Sequence, residues 1–392
     1  MRTPLEQWRA SLPVTEHCSY LQTGSLGPLS RPTLRAIQEA EELAAREGPA
    51  SPDGLLPLVV ASDAARVALA GLLHVPAGEL AWALNTSTAM RTVILSLRLT
   101  SDDCLITTDQ EHVATRSLYQ GLRDLTNLPV IVLSTAGDEA DFLDRLESSL
   151  RQPCAGRKLV LLSHVSCIDG RQLPVAEAVT LTRQLGGISF IDGAQALGQI
   201  PVDVQALAAD FYIGSCHKWL LGPSGIGYLH VRHDRLAAFN PNWLPTADRH
   251  QPSAALLGEV GTTNLAQRAG VRVAIEQVQT IGLATIATHC QALAQALRAG
   301  LRALPGVTLL GPDDPARTTG LIGFTVHGWT ATESKALVER LYQQKRILIK
   351  YQPEQMGLRV SLAGFNTADE VAALIAALAE ALEPRAQGAP DR

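Results

Sequence analysis

The chain has 392 residues, of which 46% are hydrophobic and 18% charged, and it carries a formal net charge of −5. That balance leaves no basic footprint for a nucleic acid, and the apolar share suffices for a sizeable core in two or three domains. No uninterrupted apolar run reads as a bilayer span, and "MRTPLEQWRASLP" lacks a signal-type apolar core, so a cytoplasmic protein without a membrane partner is expected.

Along the chain, "YLQTGSLGPLSRPTL" at 20–34 is a loop punctuated by glycine and proline. "LNTSTAMRTVILSL" at 84–97 reads as a helix whose N-cap is Thr86, Ser87 or Thr88. Free amides and hydroxyls at such an end also seat a phosphate. Apolar strand-like runs then recur: "DCLITTD" (103–109), "PVIVLST" (129–135), "KLVLLSHVS" (158–166), "ISFIDG" (188–193), "DFYIGS" (210–215) and "IGYLHV" (226–231). Helical stretches such as "AVTLTRQLG" and "DVQALAA" lie between some of them. Strands apolar on both faces, alternating with helices, predict a mostly parallel sheet covered by helices.

After about residue 262 the texture changes. An Ala/Leu/Gln-rich helical region covers most of 264–304, and "GLIGFTV" and "GLRVSL" read as strands. Two helices open at capping boxes, Thr330 with Glu333 and Thr367 with Glu370. This predicts a smaller α+β domain, and the end, "EPRAQGAPDR", reads as a disordered tail. Six dispersed cysteines without a C-x-x-C pair read as free thiols, and the ten histidines have no ligand spacing, so no metal is expected.

Polar residues stand at the carboxyl ends of the strands, where open parallel sheets collect ligands. Asp192 follows "ISFI", Ser215, His217 and Lys218 follow "DFYIG", His112 follows "CLITTDQE", and Ser166 and Cys167 follow "LVLLSHV". Taken singly, Asp192 could cap a helix beginning near Gln195, His112 could be a packed histidine, and "GPSGIG" could be a plain turn. Lys218 has no such reading, because a lysine ending an apolar strand is costly unless its amine does more than carry a solvated charge. A lysine amine of lowered pKa can form a Schiff base with the aldehyde of pyridoxal phosphate. The pyridine nitrogen of that cofactor needs a carboxylate, for which Asp192 would serve. His112 would cover the ring face and Gln195 would donate to the 3′-oxygen. Ser87, Thr88, Ser215 and His217, with the helix N-terminus, would take the phosphate.

The run "SFIDGAQALGQIPVDV…ADFYIGSCHKWLLGPSGIGYL" resembles the signature of the class V aminotransferase family of pyridoxal-phosphate enzymes, of fold type I. That family includes cysteine desulfurases, selenocysteine lyases, isopenicillin N epimerases and cystine C–S lyases. "YLQTGSLGPLSRPTL" resembles the family's N-terminal substrate loop, with Gly24 in it, and "HVSCIDGRQLPV" the segment before the aspartate strand. "GTTN" at 261–264 resembles the loop that lends a threonine, here Thr262, to the partner subunit's phosphate. "RVSLAGFNTADEV" resembles the segment whose arginine, here Arg359, grips the substrate α-carboxylate with a bidentate fork. The resemblance spans nearly the whole chain. It implies an α/β protein with a large domain whose mostly parallel sheet is covered by helices, a smaller α+β C-terminal domain, and a homodimer with shared active sites. With the change of texture, it divides the chain into an N-terminal segment joining the small domain (1–20), a large cofactor domain (21–262), a linking helix and small domain (263–384), and the tail (385–392). Cys167 stands where many relatives place an asparagine near the cofactor's 3′-oxygen.

The reaction is read from a short loop. Cysteine desulfurases carry a late, mobile loop with a nucleophilic cysteine, whereas here only "QPEQM" separates "ILIKY" from "GLRVSL" and no cysteine follows Cys290. The short loop resembles that of the cystine/cysteine C–S lyases, with Lys350 standing where those lyases carry a second arginine. The resemblance implies a lyase acting on L-cysteine or L-cystine by β-elimination, with Lys218 removing the α-proton and pyruvate, ammonia and sulfide or persulfide as products. Transamination, epimerisation at Cα and desulfuration by another route are the alternatives. Cys216 reads as a small buried residue rather than a nucleophile. A scaffold without turnover would have no use for Lys218, Asp192 and Arg359 together.

Overall fold

The computed structural model describes residues 2–238, 253–258 and 261–382; the tail expected at 385–392 lies outside the described residues. The N-terminal segment contributes helix α1 (Pro4–Ala10) and strand β1 (Ser19–Tyr20), followed by helices α2 (Arg31–Glu47) and α3 (Pro52–Leu72). By length and composition α3 is apolar enough to cross a membrane. It nevertheless carries Asp63 and Arg66 and packs along a later helix, Leu265–Ile281.

Seven strands build the large sheet: β2 (Leu80–Ala83), β3 (Cys104–Thr108), β4 (Val130–Leu133), β5 (Lys158–Ser163), β6 (Ile188–Asp192), β7 (Phe211–Ser215) and β8 (Gly227–Val231). Their order is β2-β8-β7-β6-β5-β3-β4. From β7 to β4 all pairs are parallel, while β8 returns antiparallel to β7 and β2 antiparallel to β8. The sheet is thus mostly parallel, with an antiparallel edge. Within β5, Leu159 and Leu161 face one apolar core while Val160 and Leu162 face the other. The pleat therefore buries both faces, as strands without polar alternation require.

Helices α4 (Thr86–Leu97), α5 (Val113–Thr126), α6 (Glu139–Arg151), α7 (Val175–Gln184) and the single turn α8 (Val204–Leu207) connect these strands. The N-cap of α4 is Asn85, not one of the three hydroxyl residues after it. Asn85 Oδ1 accepts the Thr88 N–H at 2.9 Å, and the Thr88 hydroxyl in turn accepts the Asn85 N–H at 3.0 Å. A planar amide oxygen does this as well as a hydroxyl, so the cap falls one residue earlier than expected.

The helical region after residue 264 is two helices, α9 (Leu265–Ile281) and α10 (Leu283–Arg302), broken at Gly282, whose φ of 86° only glycine adopts readily. Strands β9 (Val307–Leu309), β10 (Leu321–Val326), β12 (Lys350–Gln352) and β13 (Gly357–Ser361) form a second, antiparallel sheet in the order β12-β13-β10-β9. Helix α11 (Ala331–Lys345) opens on Thr330 with the expected reciprocal bonds to Glu333. Helix α12 (Ala368–Leu382) opens with the matching exchange between Thr367 and Glu370. The short β11 (Ile347–Leu348) pairs in parallel with β1 as a separate two-stranded sheet, and a bridge from Gln22 to Ser361 ties the first residues of the chain to the second sheet.

Candidate active site

The parallel register sets Ser163 at the end of β5 beside Asp192 at the end of β6, and Asp192 beside Ile213 in β7. These strand ends open on a cavity of about 320 Å³, within the usual range for a small-ligand site. Lys218, His112, Asp192, Gln195, Ser215, His217, Ser87 and Cys167 all line it, brought there from distant parts of the chain.

Lys218 follows β7 after Cys216 and His217. Its Nζ has no hydrogen-bonding partner among the described residues. Burial lowers the pKa of the amine, Asp192 and Cys167 partly restore it, and Arg359 and Lys350 lower it again. Asp192 is buried, and its Oδ1 accepts the Ala194 N–H at 2.9 Å. Burial raises its pKa, against the pull of that N–H and of Lys218. The bond closes a turn, not the helix expected near Gln195.

His112 is the N-cap of α5, and its Nδ1 accepts the Ala114 N–H at 3.2 Å, which leaves the ring proton on Nε2. Burial, then Lys218 and Lys350, push its pKa down to about 4, so the ring is neutral at physiological pH. Gln195 is clamped: its Nε2 donates to the Gly24 carbonyl at 2.9 Å and its Oε1 accepts from Trp219 Nε1 at 2.7 Å.

At the other end of the cavity, the Thr86 N–H donates to Ser215 Oγ at 3.0 Å, and the two hydroxyls lie 2.5 Å apart. This joins the N-terminus of α4 to the end of β7. Beside it, His217 Nδ1 is buried without a partner, and burial with Lys218 pushes the imidazole pKa down to about 4. Thr88 does not line the cavity, because its hydroxyl serves the cap of α4. Thr86 and Asn85 line it instead. Thr262 is exposed in the loop before α9 and does not line the cavity either.

Arg359 of β13 is buried, with Nη1 donating to the Cys167 carbonyl at 2.9 Å and Nη2 to Ser25 Oγ at 2.6 Å. Its Nε is buried without a partner, and burial lowers its pKa. Lys350 is its register partner on β12. Cys167 and Ser25 themselves line the cavity, so the guanidinium stands directly behind its wall. Burial lifts the Cys167 thiol to about 11 and the Cys216 thiol to about 12. Cys216 packs in the core and does not line the cavity, and Ser166 caps its own turn through the Ile168 and Asp169 amides. The residues that sequence reasoning missed are Ser25, Ser163 and Glu111, and Thr86, read there only as a cap, lines the cavity. A hydroxyl or a carboxyl by itself carries no mark of what the folded sheet will set beside it.

The N-terminal loop closes the site at close quarters. The Gly27 N–H donates to the His217 carbonyl at 2.6 Å, and a Cβ at Gly27 would collide with the Lys218 carbonyl. At Gly24 a Cβ would stand 2.7 Å from Ser361 Oγ. Gly27→Ala is therefore expected to cost about 1–3 kcal/mol and to lower cofactor occupancy. Urea unfolding and the visible absorption of the loaded protein check both.

The donor set fits pyridoxal phosphate. An unpartnered amine, an adjacent buried carboxyl, a neutral imidazole, and an orphaned imidazole nitrogen beside a helix N-terminus suit an aldehyde, a ring nitrogen, a ring face and a phosphate respectively.

Comparison with known proteins agrees. Residues 58–374 match the family model described as aminotransferase class-V. The isopenicillin N epimerase of Amycolatopsis lactamdurans is 30% identical over 385 residues, covering 92% of this chain and 94% of that protein. The cysteine desulfurase of Enterobacter sp. (strain 638) is 32% identical over 293 residues, 70% of each. Among solved structures, the cystine C–S lyase C-DES in complex with its product cysteine persulfide superposes with a TM-score of 0.85 at 25% identity, covering 94% of this chain and 99% of that one.

Proposed function

The chain belongs to the aminotransferase class-V family of pyridoxal-phosphate enzymes, and from that premise we propose that it cleaves the carbon–sulfur bond of L-cysteine or L-cystine by β-elimination, giving pyruvate, ammonia and sulfide or persulfide. When bound, the cofactor supplies a delocalised sink for the electrons left at Cα. Lys218 would hold its aldehyde, Asp192 its ring nitrogen, His112 its ring face and Gln195 its 3′-oxygen. Ser87, the N-terminus of α4, Ser215 and His217 would hold its phosphate, with Thr262 reaching in from a second copy in a homodimer.

The remaining chemistry belongs to the protein. Arg359 grips the substrate α-carboxylate, exchanging its bond to Ser25 for a stronger one to the anion. Lys218 Nζ, its basicity lowered by burial, takes the proton from Cα. Lys350, opposite Arg359, adds a second cation on the substrate side.

One observation supports elimination over sulfur transfer to the protein: among the described residues no thiolate is positioned to receive the sulfur. The segment between Lys350 and Arg359 is a short turn, Pro353–Gln355, pinned to α5 by an Arg116–Glu354 ion pair of 3.2 Å, and it holds no cysteine. The cysteine lining the cavity, Cys167, is held as a neutral thiol.

The test incubates the loaded protein with L-cysteine and, separately, with L-cystine, and assays pyruvate, alanine and sulfide together. Pyruvate with sulfide or persulfide is expected, and Cys167→Ser is expected to leave the rate within about threefold of wild type. Alanine with protein-bound persulfide would overturn elimination. Epimerisation at Cα is the second reading, favoured by the near full-length match to an epimerase. Chiral analysis of the same mixtures decides it, because racemised substrate without pyruvate is its signature.

A further inference from the structure

Glu111 has no role in the chemistry above, yet it is wholly buried immediately before His112. Its Oε1 accepts the Thr108 hydroxyl at 2.7 Å and the Ser163 N–H at 3.0 Å, and its Oε2 lies 2.7 Å from Ser163 Oγ. Thr108 ends β3 and Ser163 ends β5, so one carboxyl group ties two strand ends together. Ser163 also lines the cavity and is the register partner of Asp192. We propose that Glu111 is a positioning residue that fixes His112 and the Ser163 wall of the cavity and shares with Asp192 a single negative charge. The proposal rests on the reading of this cavity as the cofactor site.

Two carboxyl groups in a dry region cannot both ionise cheaply. Burial lifts the Glu111 pKa from an ordinary 4.5 to about 7, with Asp192 adding to the rise. Among the described residues no cation bonds to Glu111. The titratable groups that face it are Asp192 from β6, Cys167 beyond β5 and Tyr119 from α5, with Lys218 on the far side of Asp192 and Cys167. The geometry suits either state. Ionised, the carboxylate accepts all three bonds; protonated on Oε2, it donates to Ser163 Oγ. A cation held at Asp192, such as a protonated ring nitrogen, would favour the charge on Asp192 and the proton on Glu111.

Glu111→Gln copies the protonated acid in shape and bonding, while Glu111→Ala removes both. In the loaded protein, Glu111→Gln is expected to keep kcat near wild type at pH 6 and to shift the midpoint of the cofactor's visible pH titration by about half a unit or more. Glu111→Ala is expected to lower kcat about ten- to a hundredfold, because His112 and Ser163 lose their anchor. An unshifted midpoint in Glu111→Gln overturns the shared charge, and an unaltered kcat in Glu111→Ala overturns the positioning.

The cofactor-free protein supplies an arm independent of the cofactor reading. The folded state holds the Glu111 proton up to about pH 7 and the unfolded chain only up to about 4.5, so wild-type stability falls as pH rises through that window. Glu111→Gln is expected to remove that fall, and parallel urea-stability curves for the two proteins between pH 4.5 and 7 overturn the assignment.

Discussion

A Lys218→Ala protein is expected to fold, to bind pyridoxal phosphate without a covalent link, and to lose turnover by about 10²–10⁴-fold or more. The lower bound comes from removing the base alone, and loss of the covalent tether adds to it. Folding should survive because Nζ makes no hydrogen bond among the described residues and burial already disfavours its charged form. Intact mass after borohydride reduction separates the two effects. Wild type should carry the reduced cofactor covalently and the variant should not, while urea midpoints of the cofactor-free proteins stay close. Turnover retained within about tenfold would remove Lys218 from the proton transfer and point to His112 or Lys350.

The second large effect falls on the residue next to it. Trp219 is 1% exposed and fills the core beneath the cavity, with its Nε1 on Gln195 Oε1 at 2.7 Å. Trp219→Ala should lower the unfolding free energy by about 3–5 kcal/mol from lost packing and the cavity left behind. A further ~1–3 kcal/mol follows if the Gln195 oxygen is left buried without a donor. Trp219→Phe separates the two, because it keeps most of the volume and loses only the N–H. It should cost about 1–3 kcal/mol and weaken cofactor binding by freeing the Gln195 amide to rotate. Urea unfolding of the cofactor-free proteins reads the first quantity, and absorption titration with pyridoxal phosphate reads the second. A Trp219→Ala protein within about 1 kcal/mol of wild type would contradict the packing argument.

Long stretches of this architecture are legible in the amino-acid order because burial on both faces leaves a mark. "ISFID" and "FYIGS" have no polar alternation, and that alone places them inside a helix-covered sheet, with their last residues at its ligand edge. Strand β2, "LAWA", left no such mark. Four residues are too few to show a period, and it pairs antiparallel with β8, outside the parallel run. The cap of α4 is not legible because three hydroxyl residues follow Asn85, and each is a plausible acceptor by type. Thr88 reads as a phosphate ligand in the sequence, whereas in the fold its hydroxyl is committed to the cap. Arg359 stood out only through family resemblance. Its partners Ser25 and Cys167 are 334 and 192 residues away, beyond any local pattern. Glu111 was invisible for the same reason, since Ser163 reaches it only through the pairing of β3 with β5.

The tie between β1 and β11 sets an order of events during synthesis. Ser19 and Tyr20 wait for Ile347 and Leu348, the Leu21 carbonyl for the Ser361 N–H, and Ser25 for Arg359. At about 5–20 residues per second, a separation of 334 residues is roughly 15–70 s of translation. The large sheet, with Lys218 and Asp192 at its ligand edge, leaves the ribosome well before Arg359 does. A nascent chain can therefore acquire its prosthetic group while the clamp for an amino acid does not yet exist, and the first and last tenths of the polypeptide complete the enzyme together.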